Sequence, residues 1–144
     1  MTATAPAVIR SRCTVLICDD REELRAAITM VLSEQPRFQV VGEAADGATC
    51  LDQVRETAPD ILILDIGMPG GGPHVATAAR ALQPALHILV FSGIDDPAVE
   101  HKMLSAGADD YVVKTGRLRP LLEALNRALE TRHPPPPRQP LAPR

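Results

Sequence analysis

The amino-acid sequence predicts an α/β fold in which helices cover both faces of a doubly wound, five-stranded parallel sheet. Short apolar runs alternate along the chain with segments whose apolar residues recur at helical spacing. This alternation is typical of parallel sheets with crossover helices. The apolar runs are continuous rather than alternating with polar residues, which favours strands buried on both faces.

The first half of the chain supplies two strands and two helices. Residues 14–18 form a run of apolar residues that predicts a strand, and residues 20–34 carry a helical apolar stripe with acids in the first turn, where the helix dipole favours them. Residues 38–44 predict the second strand. Asp46 is a candidate N-cap for the next helix, which is predicted to stop before Pro59.

The second half continues the same pattern. Residues 60–65 and 86–92 are rich in branched apolar residues and predict the third and fourth strands. Pro97 predicts the first turn of a helix that reaches Ala106 before a glycine ends it. Residues 110–114 predict the fifth strand, and the leucines of 117–131 form one side of a last helix.

Composition narrows the class of protein. The chain has 144 residues and a net charge of -3, so it is about one domain in size and offers no electrostatic case for direct DNA binding. Its three cysteines show no metal-binding spacing, which favours reduced thiols in the cytosol. No apolar run suits a signal peptide or a membrane span. We therefore expect a cytoplasmic protein without a membrane partner.

The sequence divides into three segments. Residues 1–12 are expected to be flexible, 13–131 to form the folded domain, and 132–144 to be extended and disordered because six prolines exclude helix and sheet. The Pro-rich segment is interpreted as a linker or a frayed end, and a role as a ligand for a partner is unsupported. Nothing in the sequence after residue 131 is expected to form an output domain.

Polar residues cluster where the predicted strands end. Asp19 and Asp20 follow the first strand, Asp65 ends the third, Ser92 the fourth and Lys114 the fifth. Each residue taken alone is weak evidence for a binding site, since such residues often cap helices or face solvent. Together they lie at the sheet edge where parallel α/β folds bind ligands.

These five side chains indicate a phosphoryl-transfer site. Three carboxylates form a hard oxygen site suited to Mg²⁺, which explains two adjacent acids at the end of a buried strand. A lysine and a hydroxyl could contact phosphoryl oxygens. A carboxylate nucleophile, a metal, an amine and an alcohol are what phosphoryl acceptance needs, because the transfer depends on positioning and charge neutralisation.

Several motifs resemble the receiver domains of two-component response regulators. They are CDD after the first strand, DIGMPGG after the third, FSG after the fourth and GADDYVVK at the fifth. VVGEAADG is similar to the second-strand region of regulators that carry helix-turn-helix outputs. The resemblance covers 13–131 and implies a flavodoxin-like fold with strand order 2-1-3-4-5 and five helices.

The resemblance implies a role for each matching residue. Asp65 matches the phosphoacceptor. Asp20 would ligate Mg²⁺ directly with Asp65 and the Gly67 carbonyl oxygen, and Asp19 would act mainly through water.

Two further matches concern the conformational switch, namely Ser92 as the switch hydroxyl and Tyr111 as the aromatic that turns inward when Ser92 engages the phosphoryl group. Lys114 matches the lysine of the family. A histidine kinase or phosphotransfer protein would be the donor and a downstream protein the target, with homodimer formation left open. The chain would then be a signalling phosphoacceptor rather than an enzyme, catalysing only its own phosphorylation and dephosphorylation.

The sequence departs from the family pattern at three positions. Thr115 follows Lys114 where proline is usual, Pro73 stands where glycine is usual, and Gly67 lies two residues after the acceptor, where larger side chains are common. Because Gly67 has no side chain to shield the phosphoryl group from water, we expect the phosphorylated form to be short-lived.

Two other functions compete with this interpretation. One is a pseudo-receiver that never carries phosphate, which the departures leave open. The other is a phosphatase that forms an aspartyl phosphate, but such enzymes generally need an acid where this chain has Gly67.

Overall fold

The computed structural model describes residues 12–131. The predicted flexible N-terminal segment, apart from Arg12, and the predicted Pro-rich tail 132–144 lie outside the described residues. The described chain contains five strands, β1 to β5, at Cys13–Cys18, Phe38–Ala44, Ile61–Leu64, His87–Ser92 and Asp110–Val113. Five helices, α1 to α5, alternate with these strands at Glu22–Ser33, Gly47–Thr57, Pro73–Leu82, Pro97–Ala106 and Arg119–Thr131.

The five strands pair in parallel in the order β2-β1-β3-β4-β5, which confirms the predicted sheet. The chain places β2 on one side of β1 and then adds β3, β4 and β5 on the other side. Strand order therefore reverses between β1 and β3. In sheets of this kind, ligands bind beyond the carboxyl ends of the strands at that reversal.

Two apolar clusters fill the two faces of the sheet. Because successive strand residues point to opposite faces, the odd and even residues of β1 belong to different clusters. One cluster joins the strands to α1 and α5, and its fully buried members include Ile17, Ile28, Leu32, Ile61 and Ile63. The other joins them to α2, α3 and α4 through Leu16, Leu62, Leu64, Ile88 and Met103. The central strands are thus buried on both sides, as their continuous apolar runs predict.

Several helix ends follow from local sequence as expected. The Asp46 carboxylate accepts the Thr49 backbone N–H at 2.8 Å and caps α2, and this bond lowers the pKa of Asp46. The Asp96 side chain caps α4 in the same way ahead of Pro97. Gly107 ends α4 with a φ of +125°, a conformation that glycine adopts without strain.

Two helices begin later than predicted. Helix α1 starts at Glu22, two residues after the predicted start, because the Arg21 backbone N–H donates to the Asp19 carboxylate at 2.9 Å and Arg21 stays extended. Helix α5 starts at Arg119 rather than at residue 117, since Gly116 precedes it with a φ of +89°, which is outside the helical region. None of the helices within residues 12–131 has the length and apolar character needed to span a membrane.

Candidate functional site

Three carboxylates meet at the carboxyl ends of β1 and β3. Asp19, Asp20 and Asp65 each offer an oxygen, and these oxygens lie within 4.8 Å of one another. Asp19 and Asp65 are 2% and 6% exposed, whereas Asp20 is exposed. The sheet sets this spacing, because the Asp65 N–H donates to the Cys18 carbonyl oxygen at 2.9 Å and keeps β1 and β3 in register up to the site. The structure therefore brings together the acids that the sequence singles out.

The Lys114 ammonium lies among these acids. Its Nζ is 2.7 Å from Asp19 Oδ2 and 3.7 Å from Asp65 Oδ1, so its closer partner is Asp19 rather than Asp65. The backbone N–H of Lys114 donates to the Ser92 carbonyl oxygen at 2.7 Å, which fixes the residue at the end of β5. The buried ring of Phe91 lies 5.7 Å from Nζ, within the range of a cation–π contact.

Charge in the cluster does not balance within the protein. Three carboxylates face one ammonium, which leaves two excess negative charges if all the acids are ionised. Burial raises the pKa of the Asp65 carboxyl, and the hydrogen bond from the Gly67 N–H opposes this rise. The charge of Asp19 raises the same pKa, and that of Lys114 lowers it. A divalent cation would offset both the repulsion and the excess charge.

The donor set fits Mg²⁺. Two oxygens bound to one Mg²⁺ at about 2.1 Å lie at most about 4.2 Å apart. Oxygens within 4.8 Å of one another can satisfy this limit after small rotations, or with one acid bound through water. Asp19 suits the water-mediated position, because its two oxygens already accept hydrogen bonds from Lys114 and the Arg21 N–H.

The loop after β3 places Gly67 against the predicted acceptor. Its backbone N–H donates to Asp65 Oδ1 at 3.0 Å, and a Cβ at this position would lie 3.4 Å from the same oxygen. Farther along, the Gly47 N–H donates to the Pro69 carbonyl oxygen at 2.9 Å and ties the loop to the start of α2. The Gly67 carbonyl as a metal ligand stays a prediction.

Ser92 and Tyr111, the two predicted switch residues, contact the same residue of the β4–α4 loop. The Ser92 hydroxyl, in a residue only 1% exposed, accepts the Ile94 N–H at 3.1 Å. The Tyr111 hydroxyl donates to the Ile94 carbonyl oxygen at 2.7 Å. Burial raises the pKa of the Tyr111 phenol. Both side chains thus hold the loop that follows β4.

The three residues that depart from the family pattern have trans peptide bonds, and none of them has a positive φ. Peptide bonds are trans throughout residues 12–131, including the bond between Lys114 and Thr115. Pro73 is the first residue of α3 and follows Gly72, whose φ is +130°.

Sequence reasoning did not predict the contacts of Arg25, which hold the backbone at Asp19. Arg25 of α1 donates to the Asp19 carbonyl oxygen and to the Glu43 carboxylate, each at 2.7 Å. Glu43 is opposite Ile17 in the β1–β2 register. A single sequence offers no spacing signal for the Arg25–Glu43 pair, because the contact depends on how α1 packs against β2.

Comparison with known proteins agrees with the fold and identifies the family. Residues 15–126 match the model of the response regulator receiver domain family. The chain belongs to this family, which acts in phosphorylation-based two-component signalling.

Curated relatives include the response regulator GacA of Pseudomonas aeruginosa, 32% identical over 77% of this chain and 52% of its own length. The probable transcriptional regulatory protein NarL of Mycobacterium tuberculosis is 33% identical over the same shares. The chain thus spans about half the length of the curated relatives it matches.

Solved structures share the fold. The receiver domain of that NarL superposes with a TM-score of 0.78 at 31% identity, covering 85% of this chain and 99% of the other. A LuxR-family response regulator from Aurantimonas sp. SI85-9A1 has a TM-score of 0.79 at 31% identity, covering 88% of this chain and 91% of its own. The resemblance to receivers of transcriptional regulators is confirmed.

Proposed function

We propose that this chain accepts a phosphoryl group on Asp65 from a histidine kinase or a phosphotransfer protein and then changes its contacts with a downstream protein. The observation that carries the proposal is the buried carboxylate of Asp65, with the acids Asp19 and Asp20 on one side and the Lys114 ammonium 3.7 Å away. The receiver would extend over 13–131.

The proposed reaction is a simple displacement at phosphorus. An oxygen of Asp65 attacks the phosphorus of the donor phosphohistidine, the P–N bond breaks, and its electron pair returns to the imidazole nitrogen. Asp65 then carries an acyl phosphate, and attack of water on this group regenerates the carboxylate and inorganic phosphate. The chain therefore catalyses only its own phosphorylation and dephosphorylation.

Each neighbouring side chain has a part in this step. Asp20, Asp65 and the Gly67 carbonyl would hold Mg²⁺, with Asp19 acting through water. The ion would supply positive charge to the phosphoryl oxygens. Lys114 would exchange part of its contact with Asp19, now 2.7 Å, for a phosphoryl oxygen.

The signal would leave the site through the β4–α4 loop. Ser92 would donate its hydroxyl to a phosphoryl oxygen, and this contact would pull on Ile94, which it now holds by a 3.1 Å hydrogen bond. Tyr111 would then lose its 2.7 Å bond to Ile94 and turn inward. Phosphorylation would thus shift the population of two conformations.

Target binding would use the face formed by α4, β5 and α5. A downstream protein or a second copy of the chain would read the change there. We propose a cytoplasmic location and no direct DNA binding by these residues, since the net charge is -3.

The test is covalent labelling by acetyl phosphate in the presence of Mg²⁺, followed by intact mass. The wild type should gain one phosphoryl group and Asp65→Asn none. Asp52→Asn, which alters an exposed acid of α2, should label like the wild type. Equal labelling of wild type and Asp65→Asn would remove Asp65 from the role. A folded wild type that neither labels nor binds Mg²⁺ would instead indicate a pseudo-receiver.

A further inference from the structure

We propose that Arg25 is a positioning residue for the metal site, because it fixes the peptide between Asp19 and Asp20 and so directs the Asp20 carboxylate toward Asp65. The inference rests on the proposed function in one respect, that Mg²⁺ binds among these acids. It adds a residue of α1 that touches no carboxylate of the cluster.

The Arg25 guanidinium is held at two points. Its Nη1 donates to the Asp19 carbonyl oxygen at 2.7 Å, and its Nε donates to Glu43 Oε1 at 2.7 Å. The side chain is 16% exposed, whereas that of Glu43 is 46% exposed. A planar guanidinium with two fixed donors has little freedom to rotate. The Asp19 carbonyl is therefore tied to α1 and, through Glu43, to the edge strand β2.

Asp20 needs such support more than the other two acids do. Asp19 accepts hydrogen bonds from Lys114 and from the Arg21 N–H, and Asp65 accepts one from Gly67. Within residues 12–131, the Asp20 carboxylate accepts no hydrogen bond and makes no ion pair. Its direction is consequently set by its own backbone.

The bonded atom lies at the right place to set that direction. The Asp19 carbonyl and the Asp20 N–H belong to one planar peptide unit. A bond from Arg25 to this carbonyl fixes the orientation of the plane, and with it the starting point of the Asp20 side chain. Loss of the bond would let the plane turn and would spread the Asp20 carboxylate over positions that do not face Asp65.

The charge of Arg25 and its positioning role predict opposite effects on Mg²⁺ affinity when Arg25 is removed. A positive charge beside three carboxylates opposes binding of a cation, so loss of the charge alone would tighten Mg²⁺ binding. Loss of the positioning bond would weaken it. The sign of the change therefore separates the two explanations.

The experiment is calorimetric titration of Mg²⁺ into the full chain, with urea unfolding in the absence of Mg²⁺ measured alongside. Arg25→Met should bind Mg²⁺ about tenfold more weakly, the lower end of what loss of a residue supporting a metal ligand costs. Arg21→Met removes the same charge from an exposed side chain next to Asp20, and it should bind as tightly as the wild type or more tightly.

A third variant covers the case in which Arg25→Met does not fold. Arg25→Lys keeps the charge but has a single ammonium in place of the two fixed N–H donors that bind the Asp19 carbonyl and Glu43. It should therefore bind Mg²⁺ more weakly than the wild type. Variants that are less stable yet bind Mg²⁺ with unchanged or higher affinity would overturn the inference and leave Arg25 a structural residue. A folded wild type that binds no Mg²⁺ would overturn the proposed function itself.

Discussion

Replacement of Gly47 by alanine tests whether the acceptor loop is held by close packing. Gly47 is the first residue of α2, and a Cβ there would lie 2.1 Å from the Gly70 carbonyl oxygen and 3.1 Å from Val75 Cγ2. Real Cβ atoms essentially never approach closer than 3.0 Å, so the two segments must separate by about 0.9 Å. The atom in the way is backbone, which cannot swing aside as a flexible side chain could.

The opposing energy terms predict that Gly47→Ala destabilises the fold. Alanine is favoured over glycine in a helix by about 0.5–1 kcal/mol. Overpacking costs about 1–3 kcal/mol, and separation of the segments also weakens the 2.9 Å bond from the Gly47 N–H to the Pro69 carbonyl oxygen, worth about 1 kcal/mol. The steric cost exceeds the helix preference, so Gly47→Ala should lower the free energy of unfolding by about 1–3 kcal/mol.

Urea unfolding followed by circular dichroism measures this change. The matched control is Gly93→Ala, because a Cβ at Gly93 would meet no atom within 4 Å, and its free energy of unfolding should change by no more than about 0.5 kcal/mol. Labelling of Gly47→Ala by acetyl phosphate should be slower, since the displaced loop carries Gly67. A Gly47→Ala variant as stable as the wild type would refute the reasoning.

Two further substitutions test the shielding of the phosphoryl group on Asp65 and the contribution of Arg80 to stability. Gly67→Asn places a side chain that begins 3.4 Å from the Asp65 carboxylate, so the phosphoform should hydrolyse more slowly when its decay is followed by intact mass; an unchanged rate would contradict the shielding argument. Arg80→Met removes the donor to several backbone carbonyls and one of the two donors to the Asp109 carboxylate, and it should cost about 2–3 kcal/mol in urea unfolding. The exposed Arg55→Met should cost less than about 0.5 kcal/mol, and equal effects would contradict the prediction.

The strands and helices were predictable because local patterns and tertiary burial agree. The segments 61–64 and 88–91 are apolar throughout because both faces of β3 and β4 are buried, so the sequence pattern and the burial have one cause. The prediction was wrong by two residues where a local backbone bond decided the helix start. At α1, the Arg21 N–H binds the Asp19 carboxylate instead of joining the helix, and no periodicity reports this choice.

The acids and the lysine were predictable for a different reason. In a parallel sheet, residues at the ends of β1, β3 and β5 must come to one edge, so position along the chain implies proximity in space. The detailed pairing was not predictable. Lys114 could reach Asp19 or Asp65, and the 2.7 Å contact with Asp19 depends on side-chain geometry at the end of β5.

The supporting contacts share one chemical feature that explains why sequence patterns do not reveal them. Arg25 bonds the Asp19 carbonyl, the Gly47 N–H bonds the Pro69 carbonyl, and Tyr111 bonds a carbonyl of the loop after β4. All three act on backbone oxygens. A donor aimed at the carboxylates would compete with a cation for the same lone pairs, whereas a donor aimed at the backbone holds the loop and leaves those lone pairs available. Backbone acceptors are present at every residue, so no sequence pattern marks which backbone oxygen a donor such as Arg25 binds.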